Sequence, residues 1–137
     1  NMIDSNIYCV GEFVMAQAIY ADSSLTKKAL ADAFDLNRPS VWRYDKATFY
    51  LVKEYREDYP ELPNDIELIR KKGCKRDRSV PLTPYQVWVL SLIRACFIYF
   101  GREARVKEFV QTNGYLFSRS KYITQLRKLA VAAKQSA

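Results

Sequence analysis

The chain has 137 residues, 49% of them hydrophobic, and a net charge of +7, which is enough apolar material for one compact domain or two very small ones. The excess of Lys and Arg favours a polyanionic partner, because cations that neutralise phosphates release bound counterions. The absence of histidine removes the commonest general base and metal ligand, so we expect no enzymatic activity, no metal site and no cofactor.

Apolar residues recur at helical spacing along most of the chain, which predicts an all-α fold. The first helix is expected at about residues 7–21. Ser24 is the expected N-cap of a second helix, and a third should start near Arg38. This third helix either continues to about Tyr59 or breaks at Asp45, which would then cap a new helix.

Residues 26–46 have the pattern of two short helices joined by a tight turn. Leu30 and Phe34 have the spacing of an inner helix face, and Leu36 would fill the turn as an apolar plug. A resemblance to the helix-turn-helix superfamily of bacterial and phage DNA-binding proteins is carried by the run Lys28-Ala-Leu-Ala-Asp-Ala-Phe-Asp-Leu-Asn-Arg-Pro-Ser-Val-Trp-Arg-Tyr. Asp35 occupies the turn position that is usually glycine, and aspartate tolerates a left-handed backbone better than most residues.

The resemblance implies a trihelical unit whose third helix enters the major groove of double-stranded DNA. Arg38 and Arg43 would then read guanine edges. Trp42 would either contact a thymine methyl group or be half-buried. The candidate phosphate contacts are Lys27, Lys28 and Lys46. Two further candidates on this segment are Asn37, which can also cap the third helix, and Ser40.

Residues 70–81 contain six cations and a glycine but no apolar face, which predicts a basic linker between an N-terminal unit, 1–69, and a C-terminal helical unit, 82–137. The N-terminal unit carries seven basic and twelve acidic side chains, so most of the phosphate affinity is expected elsewhere. The linker is either a solvated loop or a phosphate-binding arm. Its candidate DNA contacts are Lys71, Lys72, Lys75, Arg76 and Arg78.

Thr83 and Pro84 form a good cap and first turn for the next helix, which Gly101 should end. Two more helices are expected near residues 102–112 and 118–134, and Ser118 is the expected N-cap of the second. The C-terminal unit repeats the order of the N-terminal unit: an apolar helix is followed by a basic helix, a turn and a capped helix. That order predicts a second helix-turn-helix in tandem, although a plain basic helical hairpin explains the same residues.

In the last helix, the expected inner face consists of Tyr122, Leu126, Leu129, Ala130 and Ala133. The candidate DNA contacts on its outer face are Arg119, Ser120, Lys121, Thr124, Gln125 and Lys128.

No stretch is long and apolar enough to span a membrane, since Arg94 interrupts the segment 85–100. We therefore expect that segment to be a core helix and expect no membrane partner.

Together these features predict a sequence-specific DNA-binding protein of a bacterium, phage or plasmid, either a transcriptional regulator or a replication or partition accessory factor. It would act as a monomer or a homodimer. Three widely spaced cysteines and the lack of a secretory leader predict a cytoplasmic protein. The alternatives are an RNA-binding protein and a protein-interaction module. The latter would dock a partner through Tyr50, Tyr55 and Tyr59 near the acidic surface.

Overall fold

The computed structural model describes residues 2–35, 38–59 and 80–136, with side chains from residue 9 onward except those of 38 and 39. These residues form α-helices and one 3-10 helix and no strand, so the predicted all-α fold is confirmed. The turn plug Leu36 and residues 70–79 of the predicted linker lie outside the described residues, whereas Val80, at the end of that linker, is buried. The α-helices are α1 (Met2–Ala16), α2 (Lys27–Ala33), α3 (Arg38–Leu51), α4 (Lys53–Glu57), α5 (Pro84–Phe100), α6 (Glu103–Thr112) and α7 (Arg119–Ser136), and the 3-10 helix at Gly114–Phe117 precedes α7.

Helix α5 lies at the centre of the fold and contacts α1, α3, α4, α6 and α7. Its residues from 85 to 93 are all buried, which fits its nearly continuous apolar sequence. Thr83 and Gln86 form a reciprocal capping box, Pro84 occupies the first turn, and Gly101 ends the helix with φ of 75°. The predicted start and end of this core helix are therefore confirmed. None of the helices in the described part of the chain is long and apolar enough to cross a membrane.

Helix α1 begins at Met2 and not near residue 7, and two further helix ends, the end of α1 and the start of α2, also differ from the sequence prediction. Tertiary hydrogen bonds form beside both of these ends. Helix α1 ends at Ala16, and soon afterwards the Ile19 amide donates to Ser91 Oγ on α5 at 2.9 Å. Leu25 forms a pair of backbone hydrogen bonds with Leu82, so the chain is still extended where Ser24 was expected to start α2. The N-cap is instead Thr26, whose Oγ1 accepts from the Ala29 amide at 3.0 Å.

Helix α3 neither breaks at Asp45 nor continues to Tyr59, so both alternatives from the sequence are wrong. It ends at Leu51, and Val52 adopts an extended conformation before α4 begins. The break removes the helical partner of the Phe49 carbonyl, and Arg56 Nη1 donates to that oxygen at 3.0 Å.

A buried polar network joins α2, α3 and α4. Lys27 Nζ lies 3.3 Å from Asp45 Oδ2, and both side chains are 1% exposed. The hydroxyl groups of Tyr55 and Tyr59 donate to Asp45 Oδ1. These two tyrosines are therefore core residues, which removes two of the three aromatic side chains on which the interaction-module alternative depends.

We expect Lys27→Met to lower the free energy of unfolding by about 3 kcal/mol, because removing one member of a buried ion pair leaves the other charge uncompensated. Lys28→Met is the matched control, since Lys28 is the next residue and is exposed; its effect should stay within about 0.5 kcal/mol. Urea denaturation of both variants measures the difference. Equal effects would contradict a stabilising role for the pair.

Burial raises the pKa of three groups in the core. The pKa of the Cys96 thiol rises to about 12, and those of Tyr55 and Tyr85 rise above their usual value. For Tyr55 the charge of Asp45 adds to the effect of burial. In each case the native state retains a proton that the unfolded chain loses as the pH rises.

Stability should therefore be highest below the unfolded pKa values and fall as the pH rises through about 8.5 for Cys96 and about 10 for the tyrosines. Each group contributes about 1.4 kcal/mol of loss per pH unit once its unfolded form ionises. Urea denaturation at a series of alkaline pH values measures how the free energy of unfolding falls with pH. Cys96→Ala should flatten this curve between about pH 8.5 and about pH 10, where only the thiol ionises. A profile that stays level into the range where tyrosine ionises would refute this linkage.

Candidate nucleic-acid interface

The segment that resembles a helix-turn-helix consists of α2, a short connection and α3, and the two helices pack against each other. Leu30, Phe34, Val41 and Tyr44 are buried on the shared inner side, as expected. Asp35, in the connection, has φ of 54° and is the non-glycine residue with positive φ in the described part of the chain. The expectation of a left-handed residue at this position is confirmed. An ordinary helical hairpin can share these features.

The outer face of α3 carries Arg43, Lys46 and Tyr50, which are spaced by three and four residues and are all exposed. Half of the Tyr50 surface is accessible, an unusually large fraction for an aromatic side chain. Trp42 is half-buried at the edge of this face, and Asp45 is buried on the inner side. One side of the helix therefore presents two cations and an aromatic ring to solvent.

Not every predicted contact of α2 and α3 lies on that surface. The expectation that Lys27 contacts a phosphate is wrong, because its side chain is buried against Asp45. Lys28 is exposed, and Ser40 is partly buried. Asn37 and the side chain of Arg38 lie outside the described residues, as do the linker candidates between 71 and 78.

A cleft of about 630 Å³ separates the outer face of α3 from α6. Lys107 is its one cation from α6 and lies next to a carboxylate, Glu103, at 3.7 Å. Both groups are about half exposed, so this pair contributes little stability and leaves the ammonium able to bind another anion. The described residues that line the cleft are Arg43, Lys46, Ala47, Tyr50, Leu51, Glu103, Lys107 and Gln111.

Sequence analysis missed the contribution of α6 to this cleft. Lys107 and Gln111 lie far from α3 along the chain, and no motif links the two segments. They meet because α3 and α6 both pack against α5. The only related signal in the sequence was the expectation of a basic helix at 102–112.

Arg43 is positioned by aromatic rings at the edge of the cleft. The centre of its guanidinium lies 4.8 Å from the ring centre of Phe97 and 5.7 Å from that of Tyr44. Stacking of this kind orients the planar group while its edge N–H donors remain available for hydrogen bonds. The guanidinium can therefore present a flat pair of donors to an acceptor in the cleft or beyond it.

Arg119 is not the outward-facing DNA contact that the sequence predicted. Its Nη2 donates to Asp58 Oδ1 at 2.6 Å, and its Nε lies 3.7 Å from Glu54 Oε2. This hydrogen bond to Asp58 raises the pKa of Arg119. The other oxygen of Asp58 accepts from Thr83 Oγ1 at 2.6 Å. Arg119 therefore ties the start of α7 to α4 and to the cap of α5.

The rest of α7 also departs from the predicted second reading head. The helix packs on α5 and on the 3-10 helix, whereas a helix-turn-helix needs close packing between α6 and α7. Ser118 does cap α7, since its Oγ accepts from the Lys121 amide at 3.1 Å. The exposed DNA-contact candidates are Ser120 and Lys128, and the partly buried ones are Lys121, Thr124 and Gln125.

The predicted inner face of α7 is wrong beyond its first turn. Tyr122 packs against Trp88 with ring centres 5.3 Å apart, but Leu126 and Leu129 are 37% and 47% exposed. No residue of α7 is buried. A second helix-turn-helix stays a prediction that this packing does not favour.

Within the described residues, no three Cys, Asp or Glu side chains are grouped so that they could hold a metal ion. Comparison of the chain with protein-family models, with curated proteins and with solved structures finds no match.

Proposed function

We propose that this protein binds double-stranded DNA through the outer face of α3 and the cleft beside it, and that it acts as a regulatory or accessory factor of a bacterium, phage or plasmid. The observation that carries the proposal is the convergence of three exposed cations, Arg43, Lys46 and Lys107, on one cleft. The resemblance of residues 28–44 to the helix-turn-helix superfamily supports the same conclusion.

The dimensions of α3 fit this proposal. A helix of 14 residues is about 21 Å long, and the major groove admits one α-helix. With α3 in the groove, α6 would lie beside it over the phosphodiester backbone at the groove edge. Lys107 would then contact phosphates, while Arg43, held by its stacking on Phe97, would present donors to base edges.

Lys46→Ala and Lys107→Ala should each weaken binding to any duplex and lower the slope of log affinity against log salt by about 1, because each removes one phosphate contact. Fluorescence anisotropy with a labelled duplex over a salt series measures both quantities. Lys53→Ala is the matched control, because the Lys53 side chain is 78% exposed on α4, outside the cleft, and pairs only weakly with Glu57. This variant should bind like the unmodified protein.

Two results would overturn the proposal. One is the absence of duplex binding at low salt, and the other is an equal loss of affinity in Lys53→Ala, which would indicate that net charge alone matters. Competition with unlabelled RNA in the same assay distinguishes DNA binding from the RNA-binding alternative. A protein that reads the major groove should prefer duplex DNA, so unlabelled RNA should displace the labelled duplex less well than unlabelled duplex DNA does.

A further inference from the structure

Helix α7 begins on the body of the protein, and from Leu126 to Ser136 all of its residues are exposed. Arg119 is paired with Asp58, and Tyr122 packs on the aromatic rings of Tyr20, Tyr85 and Trp88. Among the described hydrophobic residues of α7, none after Tyr122 packs against the core. The helix nevertheless continues to Ser136, about 21 Å farther at the usual rise per residue.

This outer part of α7 is amphipathic. At 100° per residue, its apolar side chains continue the stripe that Tyr122 begins. The stripe consists of Ile123, Leu126, Leu129, Ala130 and Ala133. Its three large members are 37 to 47% exposed. Val131 is also exposed, at 55%, but it lies on the polar side.

The charged residues of the same helix are all cationic. The chain contains no acidic residue after Glu108, so no carboxylate from α7 itself compensates the charge. Arg127 and Lys134 border the apolar stripe, and Lys121 and Lys128 lie on the opposite side. Arg119 is already neutralised by carboxylates of α4. Four cations therefore accompany the apolar stripe.

A second copy of α7 is a poor occupant for this surface. Pairing two such helices would bring uncompensated cations together, which is unfavourable. The stripe has five apolar side chains, two of them alanine, whereas a stable interface uses about 20 residues and about 800 Å² per partner. Phosphates of a duplex would satisfy the cations but would leave Leu126 and Leu129 in water.

We propose that α7 is an interfacial helix that lies on an anionic membrane surface. Lipid headgroups would satisfy the cations, and the boundary of the acyl chains would take up the apolar stripe without requiring a complementary groove. Such a helix lies in the plane of the surface, so the proposal agrees with the absence of a spanning helix in the described part of the chain. The inference does not depend on DNA binding by α3.

The test uses the full chain and its co-sedimentation with vesicles made of equal amounts of phosphatidylcholine and phosphatidylserine, compared with vesicles of phosphatidylcholine alone. We expect at least about tenfold stronger binding to the anionic vesicles, because cations near the surface are attracted to anionic lipid. The double variant Leu126→Ser/Leu129→Ser should lose at least about tenfold of that binding, since it removes most of the buried apolar area.

Val131→Ser is the matched control, because it also removes an exposed aliphatic side chain from α7 but leaves the stripe intact. It should bind vesicles like the unmodified protein. Circular dichroism and duplex binding should be unchanged in both variants, so a loss of vesicle binding would not reflect misfolding. Three outcomes would overturn the proposal: no binding to anionic vesicles, equal binding by the double variant, or a dimer in light scattering that only the double variant loses.

Discussion

The ion pair between Lys27 and Asp45 sets the geometry of the candidate interface. Lys27 is the first residue of α2 and Asp45 lies near the middle of α3, so their contact fixes how the two helices pack. Two tyrosine hydroxyl groups also donate to this carboxylate. Rotating α3 by one residue would turn Asp45 out of this network, at a cost of several kcal/mol for an unpaired buried charge. The side that carries Arg43 and Lys46 is therefore held outward.

Some cations of this protein are paired with carboxylates and stabilise the fold, whereas others remain available to bind a polyanion. Lys27 and Arg119 are both paired with carboxylates, one in the core and one where α4, α5 and α7 meet. Arg43, Lys46 and Lys107 remain exposed around one cleft. Net charge along the sequence does not make this distinction, because it counts a buried lysine and an exposed one alike. Burial and pairing decide which of them can reach a polyanion.

The helix boundaries and the turn residue that depend only on neighbouring residues were predicted from the sequence. The Thr83–Pro84 start of α5, its end at Gly101, the cap at Ser118 and the left-handed Asp35 follow from neighbouring residues. Features that depend on distant partners were missed. Helix α1 ends early near a hydrogen bond to Ser91, and the start of α2 is shifted by the pairing of Leu25 with Leu82. The role of α6 in the cleft was missed for the same reason.

The proposed function depends on base reading by the outer face of α3, with Arg43 as the proposed principal reader. Selection of bound fragments from a random duplex pool, carried out in parallel with the unmodified protein and with Arg43→Ala, tests it most directly. The account predicts that the unmodified protein enriches a common motif and that the variant binds but loses preference at a guanine of that motif. Enrichment of the same motif by both proteins, or of none by either, would contradict the account.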